Sequence, residues 1–453
     1  MVRDLTGGNV ARQLLMFSLP LFISNALQAL YNLVDMIVVG HVVGGAGMSA
    51  VSIGGDTLHI LTFLAMGFSS AGQVIIAQYV GAGRMKEVQK IIGTLFTFLL
   101  SASLLMTVVC YLLRFQILTL LNTPEESFSY TMDYLVICIL GLFFIYGYNI
   151  VSAILRGMGD SKRPFIFVAI AAVLNTVLDI WFVAGLNLGT FGAGLATVIG
   201  QGVSFVASLI YLYLHKSSFG FDFKPRSFLM DRGALKSLVS LGVPMAIQSA
   251  AVSISKIVIT AWANAFGLVF SAINGVYSKT CMMVGIVSNS FTTAGSSMIG
   301  QSLGAQKYDR VPQIMKVIWL ISLAITLALT AVVVFWHDAV FGMFTSDTEV
   351  LSKSVILIGP IIVNLFGCAT RNVAFGLING SGNARLNLIV ALIDGMLSRV
   401  GIAALLGFAL GMECKGFWYG DALAGFMPIV IGMSFFLSGK WRTSKYLTQH
   451  LRH

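Results

Sequence analysis

The stretch SLPLFISNALQALYNLVDMIVVG, Ser18–Gly40, is long and apolar enough to cross a bilayer, yet it carries Asp35 deep in its apolar run. Crossing takes roughly 20 residues. A carboxylate at mid-membrane costs about 2.5–3.5 kcal/mol on insertion scales, so such a residue faces a bundle interior or a wet cavity and is a functional candidate by default. The competing reading is a structural hydrogen bond to a polar neighbour. Pro20, in the same stretch, removes a backbone donor and gives the helix a bend point, which makes it the expected conformational hinge.

The rest of the chain extends that pattern. Of its 453 residues 57% are hydrophobic and only 10% charged, with a mean hydropathy of +0.88. A soluble domain averages about 25% charged residues. β-barrel patterning is absent, so the spans are read as helices, the other way to satisfy the backbone in lipid. The net charge of +10 sits in short loops rather than on one face, which argues against a nucleic-acid partner. The N-terminus lacks a clear small-residue cleavage site and does not read as a cleaved signal peptide. Cys110, Cys138, Cys281, Cys368 and Cys414 are widely spaced, and four lie in apolar runs. They read as small buried hydrophobes, not as a disulfide framework or a metal site.

Apolar runs fall at about 13–40, 48–80, 91–113, 129–152, 163–184 and 190–214, and again at about 237–265, 270–303, 313–336, 351–378, 386–408 and 416–438. That predicts an all-α integral membrane protein of twelve transmembrane helices. Alternate loops and both tails collect the basic residues, among them Arg84, Lys86, Lys90, Arg156, Lys162, Arg163, Lys307, Arg310, Lys445 and Arg452; the opposite loops hold only Arg114, Lys353 and Lys415. The positive-inside rule then puts both termini in the cytoplasm of a cell-membrane protein.

The halves repeat. Pro20 in FSLPLFI matches Pro244 in SLGVPMAI, AQYVGAG (77–83) matches GQSLGAQ (300–306), and RGMGDSKR (156–163) matches NGSGNARL (379–386). Six spans per half predict parallel repeats, related by an axis along the membrane normal, as in transporters. The expected organisation is an N-lobe, 1–214; a cytoplasmic linker, 215–236, joining the lobes loosely; a C-lobe, 237–438; and a basic cytoplasmic tail, 439–453. A V-shaped central cavity is expected between the lobes.

In the fifth span, VLNTVLDIWF places Asn175 and Asp179 four apart on one helical face. Asn149 and Thr197 add neutral oxygens from neighbouring spans. With Asp35 these five predict an oxygen-rich pocket in the first lobe, the ligand type that hard cations prefer. A proton needs only one of its carboxyls. The alternative is an interhelical hydrogen-bond network worth about 0.6–2 kcal/mol per bond. The second lobe differs, with Lys256, Lys279, Arg371 and Arg399 in its spans and Asp394 its clearest acid. Asp394 and Arg399 are five apart, a spacing that disfavours pairing along one α-helix, so Asp394 is expected to seek Lys256 or Arg371 across helices. Lys256 and Arg371 are candidate substrate-cavity residues; snorkelling is the competing reading. The 20 methionines and 32 phenylalanines suit an adaptable apolar wall.

Twelve spans in two six-helix lobes, Pro20 and Asp35 in the first span, GAGRMKE after the second, RGMGDSKRP after the fourth and NTVLD in the fifth together resemble the multidrug and toxic compound extrusion (MATE) family, most nearly its DinF-like and bacterial multidrug branch. The resemblance covers nearly the whole chain. It implies that Asp35, Asn149, Asn175, Asp179 and Thr197 form a cation site, with Na⁺ placed at Asp35, Asn175 and Asp179 if sodium is the ion. It also implies that Pro20 marks the bend and that Gln28 and Tyr31 face the first lobe's cavity. The C-lobe acids of the NorM-like branch are replaced by Lys256, Lys279 and Arg371. The implied function is secondary active multidrug efflux: a monomeric antiporter, not an enzyme, exporting amphiphilic or cationic compounds in exchange for H⁺ or Na⁺ by alternating access, with no cofactor. The alternative is a lipid-linked oligosaccharide flippase of the same superfamily, whose anionic substrate would suit Lys256 and Arg371. A membrane-embedded enzyme would need a catalytic set that the sequence does not show. A channel is disfavoured by the repeat and by the lack of a ring of charges.

Overall fold

The computed structural model describes residues 3–345 and 347–443. Lys445 and Arg452 of the expected tail lie outside them. Among the described residues every regular element is helical. Ten helices are each long and apolar enough to cross a membrane. In chain order the long helices are α1 Val10–Val43, α2 Gly45–Gly81, α3 Met85–Leu112, α4 in two pieces (Glu125–Leu140 and Leu142–Gly157), α5 Lys162–Gly185, α6 Gly189–Leu214, α7 Arg232–Asn264, α8 Leu268–Gly304, α9 Arg310–Phe335, α10 Thr348–Gly380, α11 Ala384–Ala409 and α12 Glu413–Leu437.

The two pieces of α4 pass as a span only together, and meet at a 50° bend. The break falls at Gly141, where a Cβ would run into Val198 of α6. α8 is 37 residues long but misses the apolar measure that the ten meet. Its serines, threonines and asparagines, Ser271, Asn274, Ser288, Asn289 and Thr292 among them, dilute it. The helices therefore fall where the twelve predicted spans lie.

Contacts divide the chain into two compact units. The first comprises residues 1–3, 19–80 and 84–242; the second comprises 4–18, 81–83 and 243–453. The division cuts α1 between Ser18 and Leu19 and α7 between Gly242 and Val243, so each cut falls one residue short of the helix's proline. Both helices run unbroken through Pro20 and Pro244. In α1, the Ser24 hydroxyl donates to the Pro20 carbonyl at 2.8 Å.

Residues 215–236 are not a loose tether. They pack on α3 of the first unit: Gln89 Nε2 donates to the Gly220 carbonyl, the Thr97 hydroxyl to the Phe228 carbonyl, and the Asp231 N–H to Thr94 Oγ1 at 3.1 Å. Phe221, Phe223 and Phe228 meet edge to face, and Phe228 also meets Phe96 of α3. The reason is composition: FGFDF is apolar enough to bury, which a polar linker is not. In the second unit, Arg310 donates to the carbonyls of Leu5, Gly7 and Gly8 and to Gln13 Oε1, and Lys307 holds both oxygens of Thr6 at 2.9 Å. All five cysteines are buried and free of disulfides.

Candidate functional site

Asp35 on α1, Asn175 and Asp179 on α5, and Thr197 on α6 are all buried and all belong to the first unit. The Thr197 hydroxyl donates to Asp35 Oδ2 at 3.1 Å and accepts from Asn175 Nδ2 at 3.4 Å. The carboxyl groups of Asp35 and Asp179 lie within hydrogen-bonding reach of each other. Yet Asp35 Oδ1 and both oxygens of Asp179 have no donor among the described residues. Ionised carboxylates only accept, and two that share a site repel unless a proton or a cation lies between them. No lysine or arginine side chain bonds to either acid among the described residues. The arrangement therefore has the chemistry of a cation or proton site and lacks a cation of its own.

The five predicted ligands do not all converge. Asn149 turns back on its own helix, donating to the Ile145 carbonyl at 2.8 Å. Tyr31 and Gln28 are half-buried, and the Tyr31 hydroxyl accepts from Gln201 Nε2 at 3.2 Å. Two neighbours were not predicted. Tyr134 and Cys138 of α4 lie in the electrostatic field of Asp35, with Tyr134 also next to Thr197. Their signal is Gly54 on α2: a Cβ there would strike the Tyr134 ring. Val39, Val51, Val183 and Ala193 pack with Tyr134 and Cys138 and keep that side of the cluster apolar.

The second unit holds a different cluster. Arg399, 1% exposed, pairs through Nη2 with Asp394 Oδ1 at 3.2 Å and through Nη1 with Asp421 Oδ1. Asp421 Oδ2 accepts from the Tyr277 hydroxyl at 2.9 Å. The expected separation of Asp394 from Arg399 is thus wrong. A π turn at Ile393–Ser398 lies between them. With i→i+5 hydrogen bonding, residues five apart come to one face. Arg371 donates instead to Cys368 Sγ, one turn earlier on its own helix, at 3.2 Å. Lys256 and Lys279 are exposed in this unit, and Lys256 lies in the electrostatic field of Asp421.

The family model MatE matches twice, at residues 20–181 and 244–405, so both its ends recur 224 residues later. The chain belongs to the MatE family. Among its relatives are two proteins of Bacillus subtilis strain 168, each named a probable multidrug resistance protein. YoeA is 29% identical, over 91% of this chain and 90% of its own length; YpnP is 27% identical, over 98% and 99%. A transporter of the MOP superfamily from Pyrococcus furiosus, described as having a binding pocket of reverse polarity, shares the fold at a TM-score of 0.89 and 21% identity, with 97% of this chain and 98% of that one covered. The MatE chain is a membrane transporter and not an enzyme.

The MatE repeat aligns the two clusters. Leu186 N–H bonds the Trp181 carbonyl and Leu410 N–H the Leu405 carbonyl; Leu188 N–H bonds Phe182 and Met412 N–H bonds Leu406. Asn187 and Gly411 share positive φ values of 53° and 65°, and Gly189 and Glu413 share 56° and 52°. Every one of these pairs keeps the spacing of the MatE matches. At that spacing Asn175 corresponds to Arg399, Thr197 to Asp421, Asp179 to Ala403 and Asp35 to Ile259. Between the first span and the fifth, and between the seventh and the eleventh, the spacing is one residue shorter, as at Gly159 and Gly382, both with positive φ. The π turn at Ile393–Ser398 absorbs the extra residue. At the shorter spacing Gly54 corresponds to Tyr277, so the two units bring a tyrosine to positions 197 and 421 from different helices.

Proposed function

We propose that this chain is a secondary active multidrug efflux antiporter, exporting amphiphilic or cationic compounds from the cell across its membrane in exchange for H⁺ or Na⁺. The observation that carries the reading is the buried pair Asp35–Asp179, of which Asp35 Oδ1 and both Asp179 oxygens have no donor among the described residues. The names of YoeA and YpnP support multidrug compounds as the substrate class. Loading the pair with a cation favours one state of the transporter, and substrate favours the other; a ligand shifts such an equilibrium only by its differential affinity. One charge moving inward gains about 2.3 kcal/mol per 100 mV, which supports roughly 50-fold accumulation at that voltage, since 1.4 kcal/mol is tenfold.

In this reading Asp35, Asn175, Asp179 and Thr197 hold the ion, and Asn149 joins them only if its amide leaves the Ile145 carbonyl. Pro20 is the bend point of α1. Gln28 and Tyr31 contact substrate in the first unit, and Lys256 and Arg371 contact it in the second. Both termini face the cytoplasm, and the working unit is a monomer. The test is ethidium export from cells expressing Asp35→Asn at wild-type levels. Coupled export is expected to stop; export at the wild-type rate removes the coupling role.

A further inference from the structure

The aligned clusters differ in one chemical respect. In the first repeat two acids meet with no basic side chain bonded to them. In the second repeat the position of Asn175 is Arg399, and its guanidinium sits between two carboxylates, Asp394 and Asp421, all three nearly inaccessible. The same two helical positions are bonded in both units: Asn175 to Thr197 in the first, Arg399 to Asp421 in the second. We propose that the guanidinium of Arg399 is a tethered cation filling, in the second repeat, the place an exchangeable cation takes in the first. Residues Asp394 and Asp421 then form a latent site for a small monovalent cation, which removal of that side chain opens. The inference rests on the reading of Asp35 and Asp179 as the coupling pair.

The chemistry supports this assignment over a merely structural ion pair in three ways. First, the oxygens around the guanidinium are a hard-cation set: Asp394 Oδ1, Asp421 Oδ1 and the Asp421 carbonyl, which accepts from Nη1 at 3.3 Å. Second, the cluster is not closed as a pair optimised for stability alone would be. Asp394 Oδ2 and Arg399 Nε, both buried, have no partner among the described residues. Third, the charges count to a single ion. Asp394 and Asp421 face Arg399, with Lys256 in the field of Asp421. Removing Arg399 alone leaves one net negative charge, which calls for one monovalent cation. Arginine stays protonated at any pH a cell experiences, so this site cannot release its cation during a transport cycle. The consequence is one exchangeable cation site per chain, in the first unit.

The experiment uses the full-length protein in detergent at pH 8 and constant ionic strength. Arg399→Ala should unfold at a lower temperature than wild type. Millimolar guanidinium, and more weakly Na⁺, should raise its midpoint saturably, while choline should not. Wild type, and Arg399→Ala combined with Asp421→Asn, should show no rise with guanidinium, and with Na⁺ only the rise that the first-unit site gives both. A midpoint of Arg399→Ala indifferent to guanidinium and Na⁺, or a rise equal in the double variant, overturns the proposal. A second measurement, equilibrium cation binding to wild type with ²²Na⁺ and by proton release, decides the matter if Arg399→Ala does not fold. One site per chain, lost in Asp35→Asn, is expected; a second site that survives in Asp35→Asn overturns the role given to Arg399. Absence of any site in wild type would instead refute the coupling reading, and the guanidinium titration would still judge Arg399 separately.

Discussion

The cluster around Asp35 and the cluster around Arg399 share two corresponding positions, 175 with 399 and 197 with 421, in two copies of one repeat, yet they solve the problem of buried charge in opposite ways. The second copy carries a fixed cation: a guanidinium bonds two carboxylates, and a tyrosine hydroxyl bonds one of them. The first copy leaves oxygens without donors and holds them with one threonine and one asparagine. A buried ion pair is costly to break, because the surviving partner is left uncompensated. A buried acid pair without a cation instead takes up whatever neutralises it. On the proposed reading, the contrast separates a site built to stay loaded from one able to exchange.

The largest expected effect breaks the contrast at its acids. Asp421→Asn removes one partner of Arg399 and should cost about 3–5 kcal/mol, seen as a fall in the thermal unfolding midpoint in detergent. Asp179→Asn removes a charge that no side-chain cation offsets, and it supplies an amide donor toward Asp35. Its midpoint should stay at or above that of wild type. If both variants fall alike, the first copy has a hidden partner and the distinction fails.

The tyrosines give a smaller test. Tyr277 donates to a carboxylate, and hydrogen bonds to charged groups are worth about 1.5–3 kcal/mol. Tyr277→Phe should lose that much stability. Tyr134→Phe, at the matching place but beside Thr197 and Cys138, should lose only the roughly 0.5–1.5 kcal/mol of a neutral bond. Equal losses would mean that Tyr134 also serves an ionised group.

How much of this was legible in the chain follows from the range of each interaction. Spacing along one helix revealed Asn175 with Asp179, and apolar run length revealed the spans, because both are local. Asn149 was placed in the pocket by residue type alone, and its amide turned to its own backbone. The Asp394–Arg399 pair was hidden because it depends on a π turn, and an i,i+5 spacing points the wrong way in an α-helix. Tyr134 was hidden because its place is set by a glycine eighty residues earlier in the chain, where the missing Cβ makes room for the ring. By its length, 215–236 reads as a tether, while the phenylalanines at 221, 223 and 228 carry the docking signal.

The smallest expected effect sharpens the comparison most. Position 197 corresponds to position 421, and its hydroxyl donates to Asp35. Thr197→Val keeps the shape and removes both the bond to Asp35 and the acceptor for Asn175. It should cost about 1 kcal/mol, the ordinary worth of a hydrogen bond, against the several expected at 421, and Thr197→Ser should restore most of it. Thermal unfolding of the three proteins side by side measures this. A loss at 197 as large as that at 421 would show the first cluster to be as rigidly bonded as the second. If the acids couple transport as proposed, the shallow value has a reason: a cation that must leave in every cycle cannot sit in a cage whose breaking costs several kcal/mol, and a light scaffold of neutral hydroxyl and amide groups keeps the acids in place while their charge is traded.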